Sequence, residues 1–220
     1  MTGLATTPRS GADTFARYAM IACAFVSPLT ILAGLLLSPI QATAEGQAYV
    51  QALVDHAGSY PTAAWLAALG ALTIIPALLA VSKVARAGRP VLGLVGTILA
   101  FSLAVPISTD SDDLIYAAHK AGLDVPTITR IEQVYVDGLP TSPLGLLWFA
   151  AMLGLLLLGL AALLGRTAPA WAAIALVVAP VLVPLPWILG LSTLLAAVPW
   201  AIMVVGMGGV ALSLLKQPVR

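Results

Sequence analysis

Six long apolar runs alternate with short or polar connections along the chain, at residues 18–38, 62–82, 91–108, 144–164, 170–190 and 192–215. A helix needs about 20 predominantly apolar residues to cross a bilayer. None of the six runs contains Asp, Glu, Lys, Arg or His. The last two are parted by Leu191 alone, but at about 1.5 Å per residue a single helix through both far exceeds a membrane. Gly190 and Ser192 predict a turn there instead. The pattern therefore predicts an all-α, polytopic transmembrane bundle of six helices forming a single integral membrane domain over residues 1–220.

Two of the connections, 39–61 and 109–143, are long and patterned. In the first, Tyr49, Val50, Leu53, Val54 and Ala57 recur at helical spacing, with Gln47, Gln51 and Asp55 on the other side. In the second, residues 109–122 predict a short helix with Thr109 or Asp110 as N-cap, acids in its first turn and a stripe of Leu114, Ile115 and Ala118. Residues 126–138 predict another, opened by Pro126, stopped by Gly138, with Ile128, Ile131, Val134 and Tyr135 on one face. These amphipathic pieces are expected on the outer ends of the bundle or at the lipid interface. Ser142 and Pro143 are expected to open the fourth span. The connection 83–90 reads as a short basic turn.

Composition gives the same class. The hydrophobic fraction is 60%, the charged fraction 9% and the mean hydropathy +1.03, whereas a soluble domain is about a quarter charged. A net charge of +1 with no basic run gives no reason to expect a nucleic-acid partner. A single cysteine, Cys23, excludes an intrachain disulfide and any CxxC motif, and it reads as a small hydrophobe.

The charges set an orientation. With the N-terminus inside, the inner segments hold Arg9, Arg17, Lys83, Arg86, Arg89, Arg166, Lys216 and Arg220, and the outer segments only Lys120 and Arg130. That asymmetry predicts both termini in the cytoplasm. Among the acids only Asp13 is inside, and Glu45, Asp55, Asp110, Asp112, Asp113, Asp124, Glu132 and Asp137 fall outside. Arg9 and Arg17, an apolar run and Ala42-Thr43-Ala44 mimic a cleaved secretory signal. The run is about 20 residues, longer than a signal's core, so a retained first helix is expected. The bias toward Ala, Gly, Pro, Val and Arg is that of a GC-rich bacterial genome, so the expected location is the bacterial cytoplasmic (plasma) membrane, crossed several times.

Candidate chemistry lies outside the spans. Asp110, Asp112, Asp113 and His119 fall close together, and Asp55-His56 comes from the other long loop. Carboxylates and imidazoles that meet can bind a divalent metal or divide acid and base roles. Acids at a helix start also simply cap it, and neither histidine has an i, i+4 ligand partner, so no metal site and no cofactor are expected. The Asp110-Ser111-Asp112-Asp113 string matches a D-x-D-D motif of terpene cyclases, but nothing else in the chain does. Within the fifth span, Pro180, Pro184 and Pro186 each remove a helical hydrogen bond. They mark the place where a pore or cavity would be lined, as broken helices do in transporters, although proline is also frequent in ordinary membrane helices. Ala63, Ala67 and Ala71, Ala64 and Ala68, and Gly209 with Ser213 form small-residue faces for helix contact, internal or between copies. Trp65, Trp148, Trp171 and Trp187 read as interfacial anchors and Trp200 as deeper. No span carries an ionisable residue of the kind pumps keep at membrane depth, and no Walker A, dinucleotide fingerprint or H-E-x-x-H is present.

Asp55-His56 with Tyr60 and Ala64-Trp65-Leu66-Ala67 is followed by Ile75-Pro76-Ala77-Leu78-Leu79-Ala80 and a basic turn. With Gly138-Leu139-Pro140-Thr141-Ser142-Pro143 and Ala168-Pro169-Ala170-Trp171-Ala172, the chain resembles small uncharacterised six-helix integral membrane proteins of actinobacteria. That resemblance implies a topology and carries over no activity or site residue. Three functional readings stand open. The first is a non-enzymatic scaffold, accessory or sensor-like protein that meets the lipid bilayer and a membrane-protein partner or its own copies. The second is a facilitator of an apolar or uncharged solute. The third is a lipid-modifying enzyme acting at the outer face.

Overall fold

The structure is a computed structural model that describes residues 11–37, 45–104, 111–138 and 141–216, without the side chains of 138, 141–145 and 193. Every regular element among them is helical. They are α1 (Gly11–Leu37), α2 (Gly46–Asp55), α3 (Tyr60–Gly88), α4 (Pro90–Ala100), α5 (Asp112–Lys120), α6 (Val125–Gly138), α7 (Thr141–Leu164), α8 (Ala170–Leu182), α9 (Leu185–Ile188) and α10 (Thr193–Leu212). α4 tightens into a 3-10 turn at Phe101–Ala104, and α10 does so at Ser213–Lys216.

Five helical stretches are long and apolar enough to cross a membrane: Gly11–Leu37, Tyr60–Gly88, Leu146–Leu164, Ala170–Ile188 and Leu194–Lys216. The expected third span is shorter, an apolar helix over Pro90–Ala104, and residues 105–108 of it lie outside the described residues. The helices close a ring in chain order: α1 against α3, α3 against α4, α4 against α7, α7 against α8, α8 against α10, and α10 back against α1. α3 also meets α7 and α10, so the ring has no open centre along α3. The span window of α10 is 61% buried and that of α1 28%, so α10 is the inner helix and α1 an outer one.

Glycine decides how closely these helices approach. A Cβ on Gly154 of α7 would lie 2.2 Å from the Ala100 amide nitrogen and 2.7 Å from the Gly96 carbonyl of α4. One on Gly206 of α10 would lie 2.6 Å from the Leu176 nitrogen of α8, and one on Gly159 of α7 would lie 2.9 Å from the Val177 nitrogen. Backbone against backbone leaves no room for a side chain, which is the small-residue packing that apolar helices need in lipid. The expected alanine face of α3 is used differently: Ala64, Ala67, Ala68 and Ala71 are exposed, while Ala77, Ala80 and Ala85 are buried. Gly209 and Ser213 are buried as expected. Outward, the bundle is coated with exposed Leu72, Val91, Ile98, Leu146 and Leu194, an apolar surface suited to lipid rather than water.

The polar groups of the bundle bond within their own helix or across to a neighbouring one. Thr30 Oγ1 donates to the Ser27 carbonyl at 2.7 Å, and Thr73 Oγ1 donates to that of Leu69 at 2.7 Å. Ser82 and Thr97 join α3 to α4 at 2.7 Å, and Ser102 donates to the Leu147 carbonyl of α7 at 2.8 Å. Among the described residues no buried side-chain polar atom lacks a partner. Near the start of α1, Arg17 Nη1 donates to the Leu214 carbonyl at 2.9 Å, which holds the beginning of the first helix against the end of the last.

Several boundaries differ from expectation. The basic turn expected over 83–90 is mostly helix, because α3 runs on through Gly88 and only Arg89 separates it from α4. After Pro76 the leucine- and alanine-rich stretch has no breaker before that glycine. The fifth span is interrupted: α8 stops at Leu182, a turn at Val183 and Pro184 follows, and α9 is one short turn. Gly190 takes φ 64, and Ser192 stands at the N-cap of α10, as the expected turn requires. Trp65 is 78% exposed and Trp200 7%, in keeping with an anchor and a core residue.

Candidate functional site

The two long connections meet. α2 packs on α5 and α6, and α5 packs on α6, forming a three-helix cap. Its core is Val50, Leu53, Ile115, Ala118 and Ile128, separate from the core of the bundle. From the stripes read on α2 and α5, Val50, Leu53, Ile115 and Ala118 are in this core and Tyr49 and Val54 pack against it. On α6 the buried face is rotated from the expected one: Ile128, Thr129 and Glu132 are buried, whereas Ile131 and Val134 are exposed. The charge on Glu132 hid it from a count of apolar spacing, although it stands one helical turn from Ile128.

Polar side chains brace the cap. Tyr49 of α2 donates its hydroxyl to Asp112 Oδ1, and Tyr60, the first residue of α3, donates to Asp113 Oδ1. The Tyr60 ring stacks on Tyr116 with centroids 4.5 Å apart, and Lys120 Nζ lies 5.5 Å from the Tyr116 ring centroid. Ser111 Oγ contacts Glu132 Oε1 at 3.4 Å in a buried position. Ser111, not Thr109 or Asp110, therefore occupies the N-cap of α5, and its side chain turns to Glu132 instead of capping. α6 begins at Val125, one residue before Pro126, because Asp124 caps it: its Oδ1 accepts the Thr127 N–H at 3.2 Å.

Two carboxyls respond to these surroundings. Burial pushes the Asp112 carboxyl above its ordinary range, the Tyr49 bond pulls it back, and the charge of Asp113 raises it further. Asp124 is held below its ordinary range by the bonds from Thr127.

Asp112 and Asp113 thus sit side by side on α5, each accepting from a tyrosine of another element. Asp110 lies outside the described residues. His56 is exposed on the far end of α2, with Nδ1 2.8 Å from the Ala52 carbonyl of its own helix. His119 is half-buried near the end of α5. Among the described residues no three of His, Cys, Asp and Glu gather where a metal ion could be held. Tyr49 and Tyr60 are the side chains that sequence reading did not single out for this site. Tyrosine beside apolar neighbours reads as core until its hydroxyl is seen to have a carboxylate opposite.

In the fifth span, Pro180 and Pro186 are buried and Pro184 half-buried. Lacking an N–H, Pro184 and Pro186 cannot bond the carbonyls of Pro180 and Leu182, which is why the helix breaks between α8 and α9. The ladder resumes with Ile188 N–H on the Pro184 carbonyl at 3.0 Å.

Fold and site together define a class: an all-helical protein of membrane-length apolar helices with a small polar-braced cap at one end. Comparison with protein-family models, with curated proteins and with solved structures found no match.

Proposed function

We propose that the chain is an integral protein of the bacterial cytoplasmic membrane that crosses it six times, with both termini inside and the cap outside. It serves there as a non-enzymatic scaffold, accessory or sensor-like protein. Two contacts support an even number of crossings. Arg17 near the start of α1 bonds the Leu214 carbonyl at the end of α10, so the chain enters and leaves at one end. Tyr60 at the start of α3 touches Asp113 and Tyr116 of α5, so α4 and the residues after it return the chain to the level from which α3 departed. Helix Pro90–Ala104 supplies about 22 Å of that return, against the roughly 43 Å of α3. The distribution of Lys and Arg supports the direction.

The observation that carries the functional reading is the use of the cap's polar groups. Asp112, Ser111 and Glu132 are engaged with partners inside the cap and Asp113 with Tyr60 of α3, while Ile131 and Val134 of α6 face outward. Such a cap offers a surface to a membrane-protein partner or a second copy more readily than it offers a reacting group. A photocrosslinker at Val134, compared with one at the lipid-facing Leu72, tests this: a discrete adduct from Val134 and none from Leu72 is expected. The break between α8 and α9 favours a second reading, passage of an uncharged solute. Absence of any adduct, with liposome flux that changes on Pro184→Ala/Pro186→Ala, would put that reading in place of the first.

A further inference from the structure

The end of the bundle opposite the cap carries cations that nothing among the described residues neutralises. Lys83 and Arg86 are exposed toward the end of α3, Arg89 is the exposed residue between α3 and α4, and Arg166 is exposed in the turn after α7. None of the four has an ion pair or side-chain hydrogen bond among the described residues. Backbone contact gathers the three arginines, and Lys83 stands one turn before Arg86 on α3. A Cβ on Gly88 would lie 2.6 Å from Gly165 Cα, and one on Gly165 would lie 2.7 Å from Gly88 Cα. The two glycines therefore touch, and the residue after each, Arg89 and Arg166, leaves from the same place on the surface. Arg86 reaches this corner from α3, its backbone against Gly93 of α4.

Arg166 is itself unusual. The turn after α7 is closed by the Arg166 N–H on the Leu163 carbonyl and the Thr167 N–H on the Ala162 carbonyl, both at 3.1 Å. In that arrangement the middle residue takes left-handed backbone and is usually glycine. Here it is arginine, at φ 52, although a side chain makes that conformation costly. A cation near a helix C-terminus favours the helix dipole, which accounts for Arg86. The dipole does not account for an arginine in the glycine position, nor for the ends of three helices converging with one sign of charge.

We propose that Lys83, Arg86, Arg89 and Arg166 form a docking surface for the phosphodiester headgroups of anionic lipid, an inference that rests on the membrane reading above. Guanidinium forks pair with phosphate oxygens two at a time, and three of the four cations are arginines. Just beyond them, toward the bundle, Val91, Leu164 and Trp171 are exposed and provide the apolar rim on which the acyl chains of such a lipid lie. Each cation favours an anionic headgroup by about five-fold near a membrane surface, and salt screens the attraction.

Thermal unfolding in nanodiscs of phosphatidylcholine, and of phosphatidylcholine mixed equally with phosphatidylglycerol, tests the surface. The chains compared are the parent, Arg166→Gly, and Lys83→Gln/Arg86→Gln/Arg89→Gln. The parent Tm rises in the mixed discs and falls back as salt is added, and inorganic phosphate added to phosphatidylcholine discs does not reproduce the rise. Arg166→Gly unfolds at a higher Tm in phosphatidylcholine, because the backbone strain is gone, yet it loses much of the gain from phosphatidylglycerol. The triple variant loses most of that gain. A full gain retained in both variants, or an equal gain from inorganic phosphate, overturns the proposal. If the parent enters the discs folded and shows no lipid preference, this surface falls alone. Failure to enter as a folded helical protein brings down the membrane reading with it.

Discussion

The bundle and the cap cohere by opposite means. In the bundle, helices meet where glycine removes the side chain, as at Gly154 against Ala100 and Gly206 against Leu176. In the cap, three helices of 10, 9 and 14 residues surround five buried apolar residues, and tyrosine hydroxyls on carboxylates fasten α5 to α2 through Tyr49 and to α3 through Tyr60. Surroundings explain the difference. Apolar helices gain nothing by hiding from lipid tails, so their association depends on close van der Waals fit. Helices as short as those of the cap are marginal in water, and a small core needs added directional bonds.

If that contrast is right, adding one carbon to the bundle does as much harm as removing several from the cap. Gly154→Ala places a Cβ against backbone that cannot yield, and it is expected to cost about 3 kcal/mol, read as a fall in Tm in mixed micelles. Gly34→Ala is its control: nothing lies within 4 Å of the added carbon, and the change is expected to stabilise by about 0.5 kcal/mol. Equal behaviour of the two would remove the glycine argument. In the cap, Ile115→Ala empties a fully buried position and is expected to cost about 2–3 kcal/mol. Hydrogen exchange should show the loss confined to α2, α5 and α6. Protection lost equally in α7 and α10 would mean that the cap and bundle cores are one.

Smaller effects sharpen the boundary between the regions. Tyr60→Phe keeps the stack on Tyr116 but removes the bond to Asp113, for an expected loss of about 1 kcal/mol. A double-mutant cycle with Asp113→Ala should recover a coupling of that order, and additive losses would show the bond to be incidental. The smallest effects are in pH dependence. Asp112 is raised in the folded cap, so its contribution is fully present below its unfolded value and is lost as pH rises through the folded one. Asp124 is lowered, so its contribution is present above its unfolded value and is lost as pH falls through the folded one. Asp112→Asn should flatten the first dependence and Asp124→Ala the second, read by cap hydrogen exchange across the acidic range.

Much of this was legible in the sequence, and the exceptions have physical reasons. Apolar runs located every membrane-length helix, because a span in lipid cannot tolerate charge. Gly190 and Ser192 marked the last turn, and the stripes of α2 and α5 marked the cap core. Lys83 and Arg86 hide the extent of α3 in the sequence, because charges after an apolar run look like loop although they continue a helix well once it leaves the apolar layer. The partners of Asp112 and Asp113 were not legible at all. Tyr49 and Tyr60 come from elements far away along the chain, and only the meeting of the two long connections brings them to α5. The alanine repeat of α3 was visible but not its outward direction, since equal spacing marks a face without saying what lies against it.

The central claim is that the cap and the basic corner lie on opposite sides of one membrane. Single cysteines in a Cys23→Ala background, probed in intact cells with an impermeant thiol reagent, test it most directly. Gly88 is unsuitable, because any side chain there meets Gly165, and Gly46 is held at φ 54. The exposed Ala87, Gln47 and Gln133 serve instead. The account predicts that Gln47→Cys and Gln133→Cys label in intact cells, and that Ala87→Cys labels only after permeabilisation. Labelling of Ala87→Cys in intact cells, or opposite behaviour of Gln47→Cys and Gln133→Cys, would contradict it.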